Sequence, residues 1–203
     1  MGIGTLTELL CSSRILWWES YCLQIADEII KEVITMTEVK GKTANESRVF
    51  KTSRVFPTDL NDHNTLFGGK ILAEMDMVAS ISATRHARKE CVTASMDWVD
   101  FLHPVRSSDC VSYESFVIWT GRTSMEVFVK VVAEDLISGE KRIAATSFVT
   151  FVALSKENNP VPVPRVIPET EEEKELHRIA VLRAEQRHIR KAESKKVATL
   201  LTF

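Results

Sequence analysis

The sequence predicts an α+β domain in which one antiparallel sheet wraps a single long helix, and three observations carry that expectation. Residues 70–87 (KILAEMDMVASISATRHA) set apolar side chains at Ile71, Leu72, Met75, Val78, Ala79 and Ile81, a helical period held for about five turns. After Lys89 the period switches to two, and four long runs rich in β-branched and aromatic residues succeed it. The segments between those runs are short, so consecutive strands are expected to pair antiparallel as a four-strand meander.

From the N-terminus, residues 1–47 read as an extension outside the fold. Residues 1–35 hold two of the four Trp and two of the four Cys, and no turn chemistry ties them to the rest of the chain. Lys31-Glu32-Val33 can be encoded by a purine-rich stretch like a bacterial ribosome-binding site, two codons before Met36. The expectation is that translation starts at Met36 and that residues 1–35 are upstream sequence.

RVFKTSRVF (48–56) is a strand that Pro57 stops, and TDLNDHNTLFGG (58–69) is a polar loop closed by two glycines. The helix after this loop is apolar around most of its circumference, so it is expected to be buried. CVTASMDWVDFLHP (91–104), DCVSYESFVIWTG (109–121), SMEVFVKVVAEDL (124–136) and KRIAATSFVTFVAL (141–154) are the four strands, separated by PVRSS, GRT and ISGE. The expected domain is therefore 48–154, succeeded by a tail, 155–203. NNPVPVPRVIP makes the start of that tail an extended linker. A charged helix runs from Glu169 to about Lys196, with Thr170 and Glu173 spaced as a capping box.

Composition narrows the function classes. The chain has 203 residues, 44% hydrophobic and 27% charged, with a formal charge of −2, which suits a folded globular protein. There is no basic excess to attract nucleic acid, and no apolar run approaches the ~18–20 residues of a membrane span. Cys11, Cys22, Cys91 and Cys110 show neither a CxxC pair nor metal-ligand spacing, so reduced thiols in a cytoplasmic protein are expected, with no metal. The first residues lack the basic n-region and cleavage site of a signal peptide. No GxSxG, HExxH, P-loop or GxGxxG pattern occurs, which leaves serine hydrolysis and nucleotide binding without support.

Three features carry chemistry. Asp76 shares a helix face with Leu72, Ala79 and Ala83, where a carboxylate is either a solvated rim residue or a functional group. Gly68-Gly69 at the helix start either punctuate a turn or open free backbone amides to a ligand oxyanion. Just before them Asn61, Asp62, His63, Asn64 and Thr65 crowd polar groups into five positions.

HNTLFGGKILAEMD, CVTASMDWVDFLHPV, GRTSMEVFVKVVAEDL and ATSFVTFVAL, in this order and spacing, resemble the hotdog-fold acyl-CoA thioesterases from Val49 to Leu154, and PETEEEKELH resembles the tail of that family. The resemblance implies a single hotdog domain with a C-terminal helical tail, hydrolysis of fatty acyl-CoA to free acid and coenzyme A, and a role in lipid metabolism. It implies no cofactor, since coenzyme A belongs to the substrate. It also implies dimers that join sheets edge to edge and assemble further into hexamers, with no nucleic acid or membrane partner. By the same resemblance Asp76 acts as nucleophile or as general base, and Thr93 supports it. Asn61, from the partner protomer, positions water or the carbonyl, and the Gly69 amide is the oxyanion donor. Gly68, Ala94, Ser95, Met96, Thr123, Ser124 and Met125 fall at positions that contact coenzyme A. Arg122 suits its diphosphate, with Arg187 or Arg183 of the last helix joining.

Two other readings stay open. A hotdog dehydratase would pair His63 with Asp76, and an acyl-CoA-binding regulator would use the same pocket without turnover. A regulator that binds DNA would need a basic surface. The last helix carries His177, Arg178, Arg183, Arg187, His188, Arg190 and Lys191, but Glu175, Glu185 and Glu193 among them make it read as a solvated, salt-bridged face. Met75, Met96, Trp98 and Phe101 are either pocket-lining or core residues.

Overall fold

Residues 41–201 are described in a computed structural model of the chain. The expected start at Met36, Cys11 and Cys22 lie outside the described residues, as does the side chain of His188. The helical period of residues 70–87 becomes α1 (Gly68–Ala87), which buries Ile71, Met75, Val78, Ala79, Ser82, Ala83, His86 and Ala87. Steps of three and four residues keep these on one side, and that side faces the sheet. Ser82 Oγ sits 2.8 Å from Ser115 Oγ, which in turn donates to the Val78 carbonyl at 3.0 Å, so the polar atoms at this contact satisfy one another.

The glycine pair forms the first turn of α1 and does not precede it, because Phe67 supplies the cap. At the other end Arg88 turns into the left-handed region (φ 53°) and its N–H donates to Thr84. The expectation of a buried helix holds for one side only. Met77 and Ile81 are each 42% exposed, so the side of α1 away from the sheet is open in the single chain.

β2 (Val49–Arg54), β3 (Glu90–Phe101), β4 (Asp109–Thr120), β5 (Ser124–Asp135) and β6 (Lys141–Leu154) form one antiparallel sheet in the order β2-β4-β5-β6-β3. β1 (Lys42–Thr43) and β7 (Val166–Ile167) pair in parallel beside it. The meander is thus three strands, β4 to β6, and the expected pairing of β3 with β4 is corrected: β3 lies against β6 at the opposite edge. The connection explains the difference. β4–β5 and β5–β6 turn tightly, the latter through Gly139 at φ 76°, whereas residues 102–108 contain Pro104 and are long enough to cross other strands. This segment passes over the start of β6, where Leu102 and His103 donate to the Ala144 carbonyl and Arg142 reaches both Pro104 O and Asp109.

The Pro-rich linker is extended and pinned to the sheet, since Val161 and Val163 donate to the carbonyls of Ala153 and Arg122. It leads into α2 (Glu171–Leu200), whose capping box is present: Glu173 N–H donates to Thr170 Oγ1 at 3.2 Å and Glu173 Oε2 accepts from Thr170 N–H at 3.1 Å. α2 lies across the outer face of the sheet and touches four strands in turn. His177 Nδ1 donates to Ile118 O of β4 at 2.7 Å, and Arg183 Nε to Glu126 of β5 at 3.0 Å. Arg187 donates to Glu126 at 3.0 Å and to Thr150 of β6 at 2.5 Å, and Arg190 grips Asp97 of β3. The reading of this helix as a solvated charged face is corrected: His177, Arg183, Arg187 and Arg190 point at the sheet, and only Arg178, paired with Glu175, and Lys191 fit the expectation. No helix among the described residues is long and apolar enough to cross a membrane.

His86 gives the fold a pH dependence. It is fully buried near the end of α1; its Nε2 donates to the Pro164 carbonyl at 2.8 Å, and Nδ1 has no partner among the described residues. Burial holds its pKa below the ordinary 6.5, because the charged ring loses its water. The unfolded chain therefore takes up a proton that the folded one refuses. Stability is full above about 6.5 and falls as pH drops toward the depressed folded value. The urea midpoint is expected to decline between about pH 7 and 5, and less so in His86→Gln; equal declines would count against this account.

Candidate active site

Asp76 stands two turns into α1, half-buried at the rim of the buried side. Its Oδ1 accepts a hydrogen bond from Thr93 Oγ1 at 2.8 Å, across the gap between the helix and the edge strand β3. Oδ1 is thereby fixed, and Oδ2 has no hydrogen-bond partner among the described residues.

Asn61 occupies a loop that folds on its own side chain. Its Oδ1 accepts from His63 N–H at 2.9 Å and from both the N–H and the hydroxyl of Thr65 at 3.2 Å. With the oxygen used, Asn61 has only its side-chain NH₂ to offer a ligand, and that group can bind an oxygen but cannot take a proton. Asn61 borders a cavity of about 340 Å³ at the start of α1, shared with Gly68, Ile71, Phe101 and His103. The amides of Gly68 and Gly69 sit in the first turn, where no intrahelical acceptor exists. A Cβ at Gly69 would press on the exposed Phe67 ring, which would have to shift to admit it.

Asp76 does not border that cavity. It lies seven residues beyond Gly69, roughly 10 Å along the helix axis, too far for one thioester carbonyl to meet both within one chain. Nor does His63 come to it: the imidazole is exposed and absent from the cavity wall.

A bulge in β3 divides the remaining predicted residues between two faces. Thr93 pairs with Phe151 and Ser95 with Thr150, so Ala94 is an extra residue between consecutive partners. Without it Thr93 and Ser95 would share a face. With it Thr93 points to α1 and Asp76, while Ser95 points to α2. Ala94, Ser95, Ser124 and Arg187 line a second cavity, about 320 Å³, under α2.

Five of the expected contact residues do not assemble with these. Met125 is wholly buried in the core on the α1 side, and Met96 packs partly buried against that core. Arg183 is 6% exposed, committed to Glu126, and does not border the second cavity. Arg122 and Thr123 lie in the β4–β5 turn, outside the lining of the second cavity. The sequence reading missed Glu126, Thr150 and Asp97, which hold the arginines of α2. The clue to two of them was a charged residue at an apolar-rich strand position, in SMEVFV and in TASMDWV. Among the described residues no cluster of His, Cys, Asp or Glu suits a metal ion, and Cys91 and Cys110 are free thiols.

The family model of the Thioesterase superfamily matches residues 63–139. The chain is 61% identical over 166 residues to a Bacillus subtilis acyl-CoA thioester hydrolase, YkhA, covering 82% of this chain and 96% of that protein. Among solved structures, an acyl-CoA hydrolase from Bacillus cereus is similar at a TM-score of 0.79 and 96% identity, covering 81% of this chain and all of that one. The Staphylococcus aureus acyl-CoA hydrolase, solved with butyryl coenzyme A, coenzyme A and coenzyme A disulfide, is similar at 0.75 and 42%, covering 78% and 97%. That enzyme has also been solved with an Asp, a Thr and an Asn each replaced by Ala, the Asn fifteen residues before the Asp and the Thr seventeen after it. An acyl-CoA thioesterase solved as a hexamer is similar at 0.73 and 44%, covering 75% and 98%.

Proposed function

This chain belongs to the thioesterase superfamily of hotdog-fold acyl-CoA hydrolases, and from that premise we propose that it hydrolyses fatty acyl-CoA in the cytoplasm at sites completed by pairs of protomers within a hexamer. The hydrogen bond from Thr93 to Asp76 carries the reading, because it leaves one carboxylate oxygen oriented and free beside the edge strand. Asn61, Asp76 and Thr93 are spaced by fifteen and seventeen residues, the spacing of the three positions replaced in the Staphylococcus aureus enzyme, which supports their selection as a set.

The thioester carbonyl sits against the Gly69 amide and the Asn61 NH₂ of one protomer, two donors that meet the negative charge developing on its oxygen. Asp76 and Thr93 come from the other protomer, because within one chain they lie too far from that oxygen. Asp76 Oδ2 takes the proton of a water as its oxygen adds to the carbonyl carbon, the C–S bond then breaks, and the thiolate leaves to be protonated as coenzyme A. In the nucleophilic variant Oδ2 itself adds to the carbonyl carbon, the C–S bond breaks as the thiolate leaves, and water then opens the resulting mixed anhydride to free acid and the Asp76 carboxylate. Either route needs the same carboxylate geometry and no cofactor.

The test is release of free thiol, monitored with a chromogenic thiol reagent across acetyl- to palmitoyl-CoA. Steady release from at least one chain length is expected. Tight binding without release at every length would favour a regulator, and addition of water to an enoyl-CoA, lost in His63→Ala, would favour the dehydratase.

A further inference from the structure

α2 is longer than the sheet beneath it. Arg183 reaches β5, Arg187 spans β5 and β6, and Arg190 reaches β3, the edge strand. From Arg183 to Arg190 the helix rises about 10 Å, and it crosses two strand intervals of about 4.8 Å each, so α2 runs nearly square to the strands. Ser194 still borders a cavity with Ala94 of β3. The helix then continues to Leu200 and caps at Leu201. Residues 195–201 therefore reach about 10 Å past the edge of the sheet, the width of two more strands.

The side of α2 that faces the sheet changes character at the same point. In steps of four and three it carries Arg183, Arg187, Arg190 and Ser194, all polar, and then Val197 and Leu201. Over its own sheet this stripe meets Glu126, Thr150 and Asp97. Past the sheet it is apolar and bare, with Val197 55% and Leu201 64% exposed. Apolar side chains held where the next strands would lie fit the surface of a sheet better than they fit water.

The edge strand offers such a surface. β3 is twelve residues long and pairs with β6 alone among the described strands, so one row of its backbone groups is open to another chain. On the face toward α2 it carries Val92, directly opposite Val152 of the cavity wall, and Trp98, whose ring lies under the Arg183 guanidinium. Both are exposed. One chain thus holds both halves of a contact, an apolar overhang and an apolar edge, that it cannot bring together by itself.

Resting on the reading above that two protomers complete each site, we propose that a second copy of this chain docks along β3, and that the end of α2 lies as a clamp across the outer face of that copy's sheet, with Val197 and Leu201 seated on its β3. A two-fold pairing is self-complementary, so each chain's overhang covers the other's edge strand. The open edge would accept any extended chain, whereas the clamp fits only a partner with this apolar face beside its own edge.

Two measurements on the full chain test this. Sedimentation velocity over a dilution series compares the protein with a double variant, Val197→Asp with Leu201→Asp, and with Leu182→Asp, an exposed apolar residue on the solvent side of the same helix. The double variant is expected to raise the concentration at which the assembly dissociates by at least about tenfold, and the control to stay within about twofold. Dissociation equal in all three would overturn the proposal. The second measurement places p-benzoylphenylalanine at position 201 and co-expresses that chain with an isotopically heavy copy. Illumination is expected to give adducts between chains that map to residues 90–101. Adducts within one chain, adducts to any other segment, or none from an associated protein would overturn the clamp and leave the pairing of protomers standing. A chain that stays monomeric at every concentration would defeat that pairing as well. Thiol release enters neither measurement, so an inactive protein that still forms the adduct would count against the catalytic reading alone.

Discussion

Asp76→Ala is expected to lower kcat for acyl-CoA by about 10²–10⁴-fold with little change in the urea midpoint. The size reflects the group removed: the only carboxylate that Thr93 orients at the strand edge, whether it activates water or attacks directly. Fold and stability are spared because Asp76 sits at the rim and contributes no packing that Ala cannot supply. Thr93→Ala should cost less, about tenfold, since it loosens the carboxylate without removing it, and Thr93→Ser should restore most of the loss. His63→Ala is the control, its imidazole being exposed and away from the cavity at the start of α1. Steady-state thiol release measures all four. An Asp76→Ala protein with half the original kcat would remove this residue from the chemistry.

Mixing two inactive variants should recover activity. If Asn61 and Asp76 of one site belong to different protomers, a dimer of one Asn61→Ala chain and one Asp76→Ala chain has one site with both defects and one with none. Random association then makes half of the dimers mixed, and with one sound site in two the mixture recovers roughly a quarter of the full rate. Each variant alone stays near background. The geometry behind this is the separation of about 10 Å along α1 between the Gly69 amide and Asp76, which no side-chain rotation closes. Co-expression with two different tags, tandem purification and the same thiol assay would read the result. Recovery that stays at the level of either parent would mean that each chain completes its own site.

Much of this was legible in the sequence, for identifiable reasons. α1 declared itself because Ile71, Met75, Val78 and Ala79 repeat on one side, and a helix that packs on a sheet must show that repeat. The α2 cap was equally plain, since Thr170 and Glu173 answer each other across a single turn. Strand order was not, because period two says which side chains share a face and nothing about which strand lies next door. Only the length of residues 102–108 and Pro104 hinted that β3 and β4 part company. The role of α2 was hidden for another reason. Arg183 has the same chemistry in solvent as between Trp98 and Phe148, and its partner Glu126 lies far off in the sequence. Asp76 stood out as a carboxylate on an apolar helix face, whereas the role of Asn61 and its place in the partner protomer came from the family resemblance, because the loop's own residues say nothing of which cavity they border.

The extra residue in β3 has a consequence for how such a strand can vary. An ordinary strand has one phase: even positions look one way and odd positions the other along its whole length. At Ala94 the phase of β3 slips, so Thr93 and Ser95, which would otherwise be locked to the same neighbour, answer to different helices. Substitutions on the Ser95 side can then tune what is recognised while those on the Thr93 side keep what is done to it. The strand behaves as two short sentences joined by a comma, and removing the comma would set half of it facing the wrong way.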